Sequence, residues 1–308
     1  MIDTVLFDMG GTLEDIYVDD ASKEASAREV LRILKEKGFS VSMDVPEAMQ
    51  ELAEGWDRYA AYRGPTNREL KPEEIWGNYV LNGRFGLDFE TVKPFAEELA
   101  HMWEVTYYHR SLRPGVKEML EGLKGLGMKL GVVSNTASMY QVFWILKEYG
   151  IRDYFQDVTL SSVTGYRKPD PNIFLVSLKQ VQSDPSTCAY VGDTFSRDVI
   201  GPQRLGFGAT FHIHSHLTAS RDKDVPDSVK ATYSISEICE VYTILKAQTS
   251  VKSGYKKGPE PTVQGPFFRA WSNASGRRSS SRHSCRSRLF FAGRNARQIP
   301  ASRPGGRE

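Results

Sequence analysis

The chain has few cysteines and lacks long apolar runs. Its 308 residues include three cysteines, Cys188, Cys239 and Cys285, whose spacing matches no zinc pattern. A sparse, odd count also argues against a disulfide framework, so we expect a reducing, cytoplasmic setting. No apolar run approaches the roughly 20 residues of a membrane-spanning helix. The first residues show no basic segment followed by an apolar one, so we expect neither a signal peptide nor a membrane partner.

The net charge of +2 averages two segments of opposite sign. Residues 251–308 hold thirteen basic and two acidic side chains, a net charge of +11, which leaves −9 for residues 1–250. An acidic folded part does not favour nucleic-acid binding. From about residue 248 the sequence is rich in Ser, Gly, Arg and Pro, and apolar periodicity disappears. We expect 248–308 to be a disordered basic tail, either native or foreign to the domain, with only non-specific attraction to nucleic acids.

The pattern of apolar residues predicts an α/β fold. Short apolar runs predict strands at 4–7, 129–133, 157–161, 188–191 and 209–214, and amphipathic helices lie between the last four. Such alternation is typical of a doubly wound parallel sheet. The intervening residues, 14–111, instead have helical periodicity. We therefore expect a catalytic core of 1–13 and 112–247, with a smaller, all-helical cap domain at 14–111, inserted after the first strand.

Three of the predicted strands end at a polar residue: Asp8, Ser134 and Asp193. Parallel sheets bind ligands beyond the C-terminal ends of their strands. Asp8 also opens a glycine turn, and a carboxylate held rigidly near backbone N–H groups suits a nucleophile that attacks phosphorus. Each of the three residues alone fits a helix N-cap equally well. Caps do not require the Lys168-Pro169 pair or a second aspartate, Asp198, five residues after Asp193.

This ordered set of motifs resembles the haloacid dehalogenase-like hydrolase superfamily over about residues 2–240. The resemblance implies a Mg2+-dependent hydrolase that acts on a small phosphorylated molecule. It assigns Asp8 as the nucleophile that forms an aspartyl phosphate, Ser134 as a hydrogen-bond donor to the phosphoryl group, and Lys168 as the neutralising cation. Asp198 is expected to orient Lys168 or a metal-bound water.

The resemblance also implies a ligand set for the metal and further substrate contacts. Mg2+ would be held by the Asp8 carboxylate, the Gly10 carbonyl and Asp193, with other oxygen ligands completing the coordination. Additional contacts around the substrate are expected from Gly11, Thr12 and Asn135. Nothing in the sequence indicates the oligomeric state.

Gly10 departs from the family pattern. Phosphatases of this superfamily usually carry an aspartate there, which protonates the leaving oxygen and later activates water, and glycine can do neither. The alternatives are a phosphatase selective for good leaving groups, a dehalogenase- or phosphonatase-like hydrolase, and a degenerate member that binds phosphorylated ligands without turnover. Glu14 and Asp15 are interpreted as solvated linker residues rather than substitute acids. His212, His214 and His216 alternate, which we interpret as a solvated strand end.

Overall fold

The computed structural model describes residues 1–253, and side chains are described through residue 249. Eight strands are described: β1 Thr4–Phe7, β2 Glu14–Tyr17, β3 His109–Leu112, β4 Lys129–Ser134, β5 Asp157–Leu160, β6 Cys188–Gly192, β7 Ala209–Ile213 and β8 Tyr233–Ile235. The α-helices in the same part of the chain are α1 Asp20–Glu36, α2 Val45–Thr66, α3 Pro72–Ile75, α4 Phe89–Val92, α5 Ala96–Thr106, α6 Val116–Gly125, α7 Gln141–Glu148, α8 Ser161–Thr164, α9 Pro171–Gln180, α10 Ile200–Arg204, α11 Thr218–Arg221 and α12 Glu240–Ser253.

Six strands form one parallel sheet in the order β5-β4-β1-β6-β7-β8. The central strand β1 is buried on both faces, as a strand covered by helices on both sides must be. Its side chains alternate between the two faces: Val5 and Phe7 pack with α6 and α7, whereas Leu6 packs with Ile173 and Phe174 of α9. The α/β prediction is therefore confirmed.

The residues between β1 and β4 are mainly helical and have their own apolar cluster. Side chains of α1, α2 and α5 surround Trp76, which is fully buried. Two aspartates cap the first helices, because Asp19 accepts the N–H of Ser22 and Asp44 accepts that of Glu47. The boundaries proposed for a cap domain, 14 and 111, stay a prediction.

An antiparallel ribbon connects this helical segment to the sheet, a feature absent from the all-helical prediction for 14–111. β2 pairs with β3, so that Glu14 faces Leu112 and Ile16 faces Arg110. The ribbon strands are only four residues long, which leaves too little alternation to distinguish them from the start and end of helices.

The C-terminal boundary also differs from the prediction. Helix α12 runs to Ser253, past residue 247, where the core was expected to end. The remainder of the predicted tail, 254–308, lies outside the described residues. Within the described part of the chain, no helix combines the length and apolarity needed to cross a bilayer.

Candidate active site

The order of the strands brings the predicted site residues together. β4, β1 and β6 are neighbours, and Ser134, Asp8 and Asp193 stand at or just beyond their C-terminal ends. All three residues are buried. The Asp8 N–H donates to the Val191 carbonyl at 2.9 Å, which continues the pairing of β1 with β6 and fixes the start of the glycine turn. Ser134 lines a small cavity together with Asp8.

Lys168 reaches this cluster from the loop before α9. Its Nζ lies 2.7 Å from Asp8 Oδ1 and 2.7 Å from Asp198 Oδ1, and it donates to the Tyr190 hydroxyl at 3.0 Å. The buried ammonium thus has three acceptors for its three N–H bonds. Asn135 fixes the loop, since its side chain accepts the Lys168 N–H at 2.8 Å and donates to the Lys168 carbonyl at 3.1 Å.

The three aspartates have different surroundings. Burial raises the pKa of Asp8 despite its ion pair with Lys168. Burial raises the pKa of Asp193 to about 7, and repulsion from the other two carboxylates adds to this rise. Burial also acts on Asp198, but Lys168 and the hydrogen bonds from Thr194 hold its pKa below the usual value. Lys168 contacts two of these three buried carboxyl groups, and Asp193 has only the more distant Arg221 at 3.7 Å, so the negative charge of the cluster is incompletely compensated.

The excess charge and the free oxygen atoms fit a divalent cation. Ligand oxygens of Asp8, Asp193 and Asp198 all lie within 4.8 Å of one another. Asp193 Oδ1 is buried without a hydrogen-bond partner in the described chain, as expected of a metal ligand. Both Asp198 oxygens are engaged, one by Lys168 and the other by Thr194, so Asp198 is better placed to orient Lys168 than to bind the ion.

Asp193 is positioned by residues that the motif analysis did not identify. Ser215 donates its hydroxyl to Asp193 Oδ2 at 2.5 Å, and Thr218 donates to the Asp193 carbonyl at 2.7 Å. His212 lies 3.1 Å from the same carbonyl through Nε2 and stacks on Phe195. His212 is buried, so the prediction that this histidine is solvated is wrong, whereas His214 and His216 are exposed.

The glycine turn brings the backbone close to Asp193. Gly11 has φ +94°, and a Cβ placed on it would lie 2.3 Å from Asp193 Oδ2. The residue must therefore be glycine both for its conformation and for space. The Gly11 N–H donates to the Glu14 carbonyl at 2.9 Å, and the Thr12 N–H donates to the Met9 carbonyl at 3.2 Å. These N–H groups close the turn, so substrate contacts from Gly11 and Thr12 stay a prediction.

Glu14 is buried and has no access to bulk solvent, so its interpretation as a solvated linker residue is wrong. Its carboxylate pairs with Arg110 Nη1 at 2.6 Å and accepts the Tyr149 hydroxyl at 3.0 Å. Burial raises the Glu14 pKa in spite of the Arg110 charge. Asp15 lies in β2 and is half-buried, with its carboxylate 3.5 Å from Arg113 Nη2. The Glu14–Arg110 pair lies beside Gly10: a Cβ on Gly10 would be 3.8 Å from Arg110 Nη1 and 2.9 Å from Ile16 Cδ1.

Two adjoining cavities open at this end of the sheet. The small one, about 60 Å3, is lined by Asp8, Gly10, Arg110, Ser134 and Lys168 among others. The large one, about 610 Å3, extends towards α2 and α5. Six residues line both: Glu104, Tyr108, Asn135, Thr136, Arg197 and Arg221. A molecule with its reacting group at Asp8 thus has room for the rest of its structure in the large cavity.

The comparison with known proteins agrees with this arrangement. A family model described as haloacid dehalogenase-like hydrolase matches residues 2–206. The chain belongs to the haloacid dehalogenase-like hydrolase family. The family predicted from the motifs is therefore confirmed, and with it the hydrolase class of the enzyme.

Three relatives illustrate this membership. Glyceraldehyde 3-phosphate phosphatase of Methanopyrus kandleri is 28% identical over 231 residues, which cover 74% of this chain and 92% of that protein. The phosphatase of the same name from Methanothermobacter thermautotrophicus is 31% identical over 252 residues, which cover 80% of this chain and 100% of that protein. The crystal structure of a HAD phosphatase from Thermococcus onnurineus matches with a TM-score of 0.52 and 26% identity, covering 79% of this chain and 98% of that one.

Proposed function

We propose that this hydrolase is a Mg2+-dependent phosphatase of a small phosphorylated metabolite. The observation that carries the proposal is the buried cluster in which the Asp8 carboxylate pairs with Lys168 at 2.7 Å while Asp193 keeps one oxygen unpartnered. A nucleophile, a cation and a free metal ligand are the groups that phosphoryl transfer requires. Two relatives named as glyceraldehyde 3-phosphate phosphatases support a phosphorylated metabolite as the substrate.

In the proposed reaction an Asp8 oxygen attacks phosphorus as the bond from phosphorus to the leaving oxygen breaks. Water then attacks phosphorus, which releases phosphate and restores the Asp8 carboxylate. Lys168 holds Asp8 in position, and Ser134 donates its hydroxyl to a phosphoryl oxygen. Asp8, the Gly10 carbonyl and Asp193 would hold Mg2+, which would reduce the repulsion between the carboxylate and the phosphate.

Gly10 determines which leaving groups this site handles well. Glycine has no proton to give, and loss of a general acid typically costs about 10²–10⁴ in rate. The nearest cationic group is the Arg110 guanidinium, which cannot release a proton at physiological pH. The leaving oxygen therefore departs with its negative charge, so a stable oxyanion is favoured.

A series of aryl phosphates with leaving groups of different pKa tests the proposal on the full-length chain. We expect Mg2+-dependent hydrolysis whose rate falls steeply as the leaving-group pKa rises. Asp8→Asn should lower kcat by at least about 10³, since the nucleophile is lost. Asp3→Asn is the matched control, because Asp3 is exposed just before the opposite end of the same strand.

Three results would contradict the proposal in different ways. A flat dependence on leaving-group pKa would indicate a substitute acid in place of the missing aspartate. Halide release from a haloacid without Mg2+, and no phosphate release, would indicate a dehalogenase. Binding of inorganic phosphate with no turnover of any aryl phosphate would indicate a ligand-binding protein.

A further inference from the structure

The large cavity is rich in arginine. Four arginines line it from separate parts of the chain: Arg63 of α2, Arg167 of the loop before α9, Arg197 of the π-helical turn Phe195–Val199, and Arg221 of α11. Lys23 adds a fifth cationic side chain, whereas the lining carboxylates are Asp57 and Glu104. This excess of positive charge faces a space of about 610 Å3, which is large enough for a small metabolite.

Three of these arginines have partners within the chain. Arg167 pairs with the buried carboxylate of Glu69. Arg221 Nη1 lies 3.7 Å from Asp193 Oδ2. The Arg63 guanidinium stands 5.2 Å from the centre of the Tyr59 ring, a cation–π contact. Glu104, one of the two lining carboxylates, is itself bound by Arg110 at 2.7 Å.

Arg197 differs from the other three. Its side chain makes no hydrogen bond or ion pair with any residue whose side chain is described, although it is only partly exposed. Burial, together with repulsion from Arg221 and Arg167, lowers its pKa to about 10, so it still carries its charge at neutral pH. The Asp198 and Asp193 carboxylates attract this guanidinium without a direct hydrogen bond, so its donors stay open to a bound anion. Its five N–H donors form a planar fork that matches a carboxylate or a phosphate.

The position of Arg197 connects it with the reaction. It lines the small cavity with Asp8 and the large cavity with the aromatic residues Trp56, Trp103 and Tyr107. A substrate whose phosphoryl group lies at Asp8 would extend past Arg197 into the large cavity. Arg197 therefore lies where it can contact a bound substrate. Its π-helical turn begins two residues after Asp193, the proposed metal ligand.

We infer that the large cavity selects substrates with a second anionic group, a carboxylate or a second phosphate, which pairs with Arg197. This inference rests on the proposed phosphatase activity and adds a substrate class to it. The aromatic wall supplies apolar contact to the carbon skeleton between the two anions. Arg197 acts as a specificity residue, whereas Arg63 and Arg221 contribute longer-range attraction.

The experiment compares three aryl phosphates with the full-length chain and Mg2+. The first is 3-carboxyphenyl phosphate, and the second is its 3-carboxamidophenyl analogue, in which the 3-substituent is neutral. The third is 1,3-phenylene bisphosphate, so the set distinguishes recognition of a carboxylate from recognition of a second phosphate. We expect kcat/KM for at least one of the two probes with a second anionic group to exceed that of the amide by about 10–100-fold, the range of a charge-assisted hydrogen bond. Arg197→Met should remove this preference, so that the ratio of kcat/KM between these probes and the amide falls to about 1.

Two further measurements keep the result interpretable. Arg204→Met is the matched control, since Arg204 is exposed on α10, outside both cavities. If Arg197→Met does not fold, Arg197→Lys keeps a charge without the planar fork and should retain only part of the preference. Equilibrium binding of the same probes to the Asp8→Asn chain should show the same order of affinity without turnover.

The outcomes distinguish this inference from the proposed function. If the amide is hydrolysed and neither probe with a second anionic group is preferred, the inference is overturned while the phosphatase activity stands. A preference that survives Arg197→Met also overturns it, because another group must then recognise the anion. If no aryl phosphate is hydrolysed at all, the proposed function fails first.

Discussion

The acidic cluster of Asp8, Asp193 and Asp198 and the large cavity lie at the same end of the sheet but differ in charge. Around Asp8, three buried carboxyl groups face Lys168 and the more distant Arg221, whereas five cationic side chains face two carboxylates in the large cavity. Among the described residues, Asp193 Oδ1 is an unpartnered acceptor in the first region, whereas Trp56 Nε1 and the Arg197 guanidinium are unpartnered donors in the second. The two regions therefore fit different ligands, a cation in one and an anion in the other.

Lys168→Met tests the acidic cluster and is expected to have the largest effect on stability. The substitution removes the ammonium that contacts Asp8 and Asp198. Because a buried ion pair then loses one partner, we expect the free energy of unfolding to fall by about 3–5 kcal/mol. Denaturant unfolding without Mg2+ measures the change. Lys129→Met is the control, since Lys129 Nζ donates to the Gln182 carbonyl rather than to a carboxylate. A double variant with Asp198→Asn should recover part of the loss, and failure to do so contradicts the charge argument.

Gly10→Asp adds a carboxyl group beside Arg110 and tests the missing acid. A Cβ on Gly10 would lie 2.9 Å from Ile16 Cδ1, so we combine it with Ile16→Val to make space. We expect hydrolysis of alkyl phosphates to rise by about 10²-fold, the lower end of general acid–base contributions, because the new carboxyl group can protonate the leaving oxygen. The single variant Ile16→Val controls for the change in packing. Unchanged alkyl phosphate rates in the double variant would show that proton transfer is not what limits this site.

Mg2+ should stabilise the chain through the acidic cluster. At about 100 times its dissociation constant, a ligand adds about 2.7 kcal/mol to the free energy of unfolding, which corresponds to a rise in Tm of roughly 5–10 °C for a domain of this size. Scanning calorimetry with Mg2+ and with a chelator measures the shift. Asp193→Asn should abolish the response. Asp222→Asn should retain it, because both Asp222 oxygens already accept backbone N–H groups, those of Phe195 and Ser196, and Asp222 lies outside the acidic cluster. An equal shift in both variants would place the ion elsewhere.

Gly11→Ala, the smallest of the expected effects on stability, separates close approach from backbone conformation. Gly11 and Gly38 both have positive φ, +94° and +89°, but a Cβ on Gly38 would meet nothing within 4 Å. Gly38→Ala should cost about 1 kcal/mol from conformation alone. Gly11→Ala should cost more than this and should also weaken the Mg2+ response, because the new methyl group displaces Asp193. Equal costs with an unchanged Mg2+ response would contradict the close approach.

The sequence predicted the site residues that follow strands, and the family motifs added Lys168 and Asp198, but other residues that reach the site from loops were missed. Asp8, Ser134 and Asp193 were identifiable because an apolar strand precedes each of them and parallel strands end at a common edge. Ser215 and Arg197 carry no local signal, since a serine after a strand and an arginine in a turn are common on any surface. Their roles depend on which loops meet in three dimensions.

Burial of charged residues was the second limit. Glu14 follows a glycine turn in a polar stretch, so exposure was the reasonable expectation, and its partner Arg110 is distant in sequence. Only the pairing of β2 with β3 brings Ile16 opposite Arg110 and places the Arg110 charge next to Glu14. A four-residue strand is too short for its apolar periodicity to indicate that pairing.

The β2–β3 ribbon has a consequence for how the enzyme can be altered. Ile16 and Arg110 are paired across the ribbon, and both line the small cavity. The two strands that connect the helical segment to the sheet therefore also form one wall of this cavity. A shift of the ribbon by one residue would turn these side chains to the opposite face and remove them from that wall. Replacing the helical segment with a different one therefore requires keeping the β2–β3 ribbon in the same register, because a change in the ribbon also changes the wall of the small cavity.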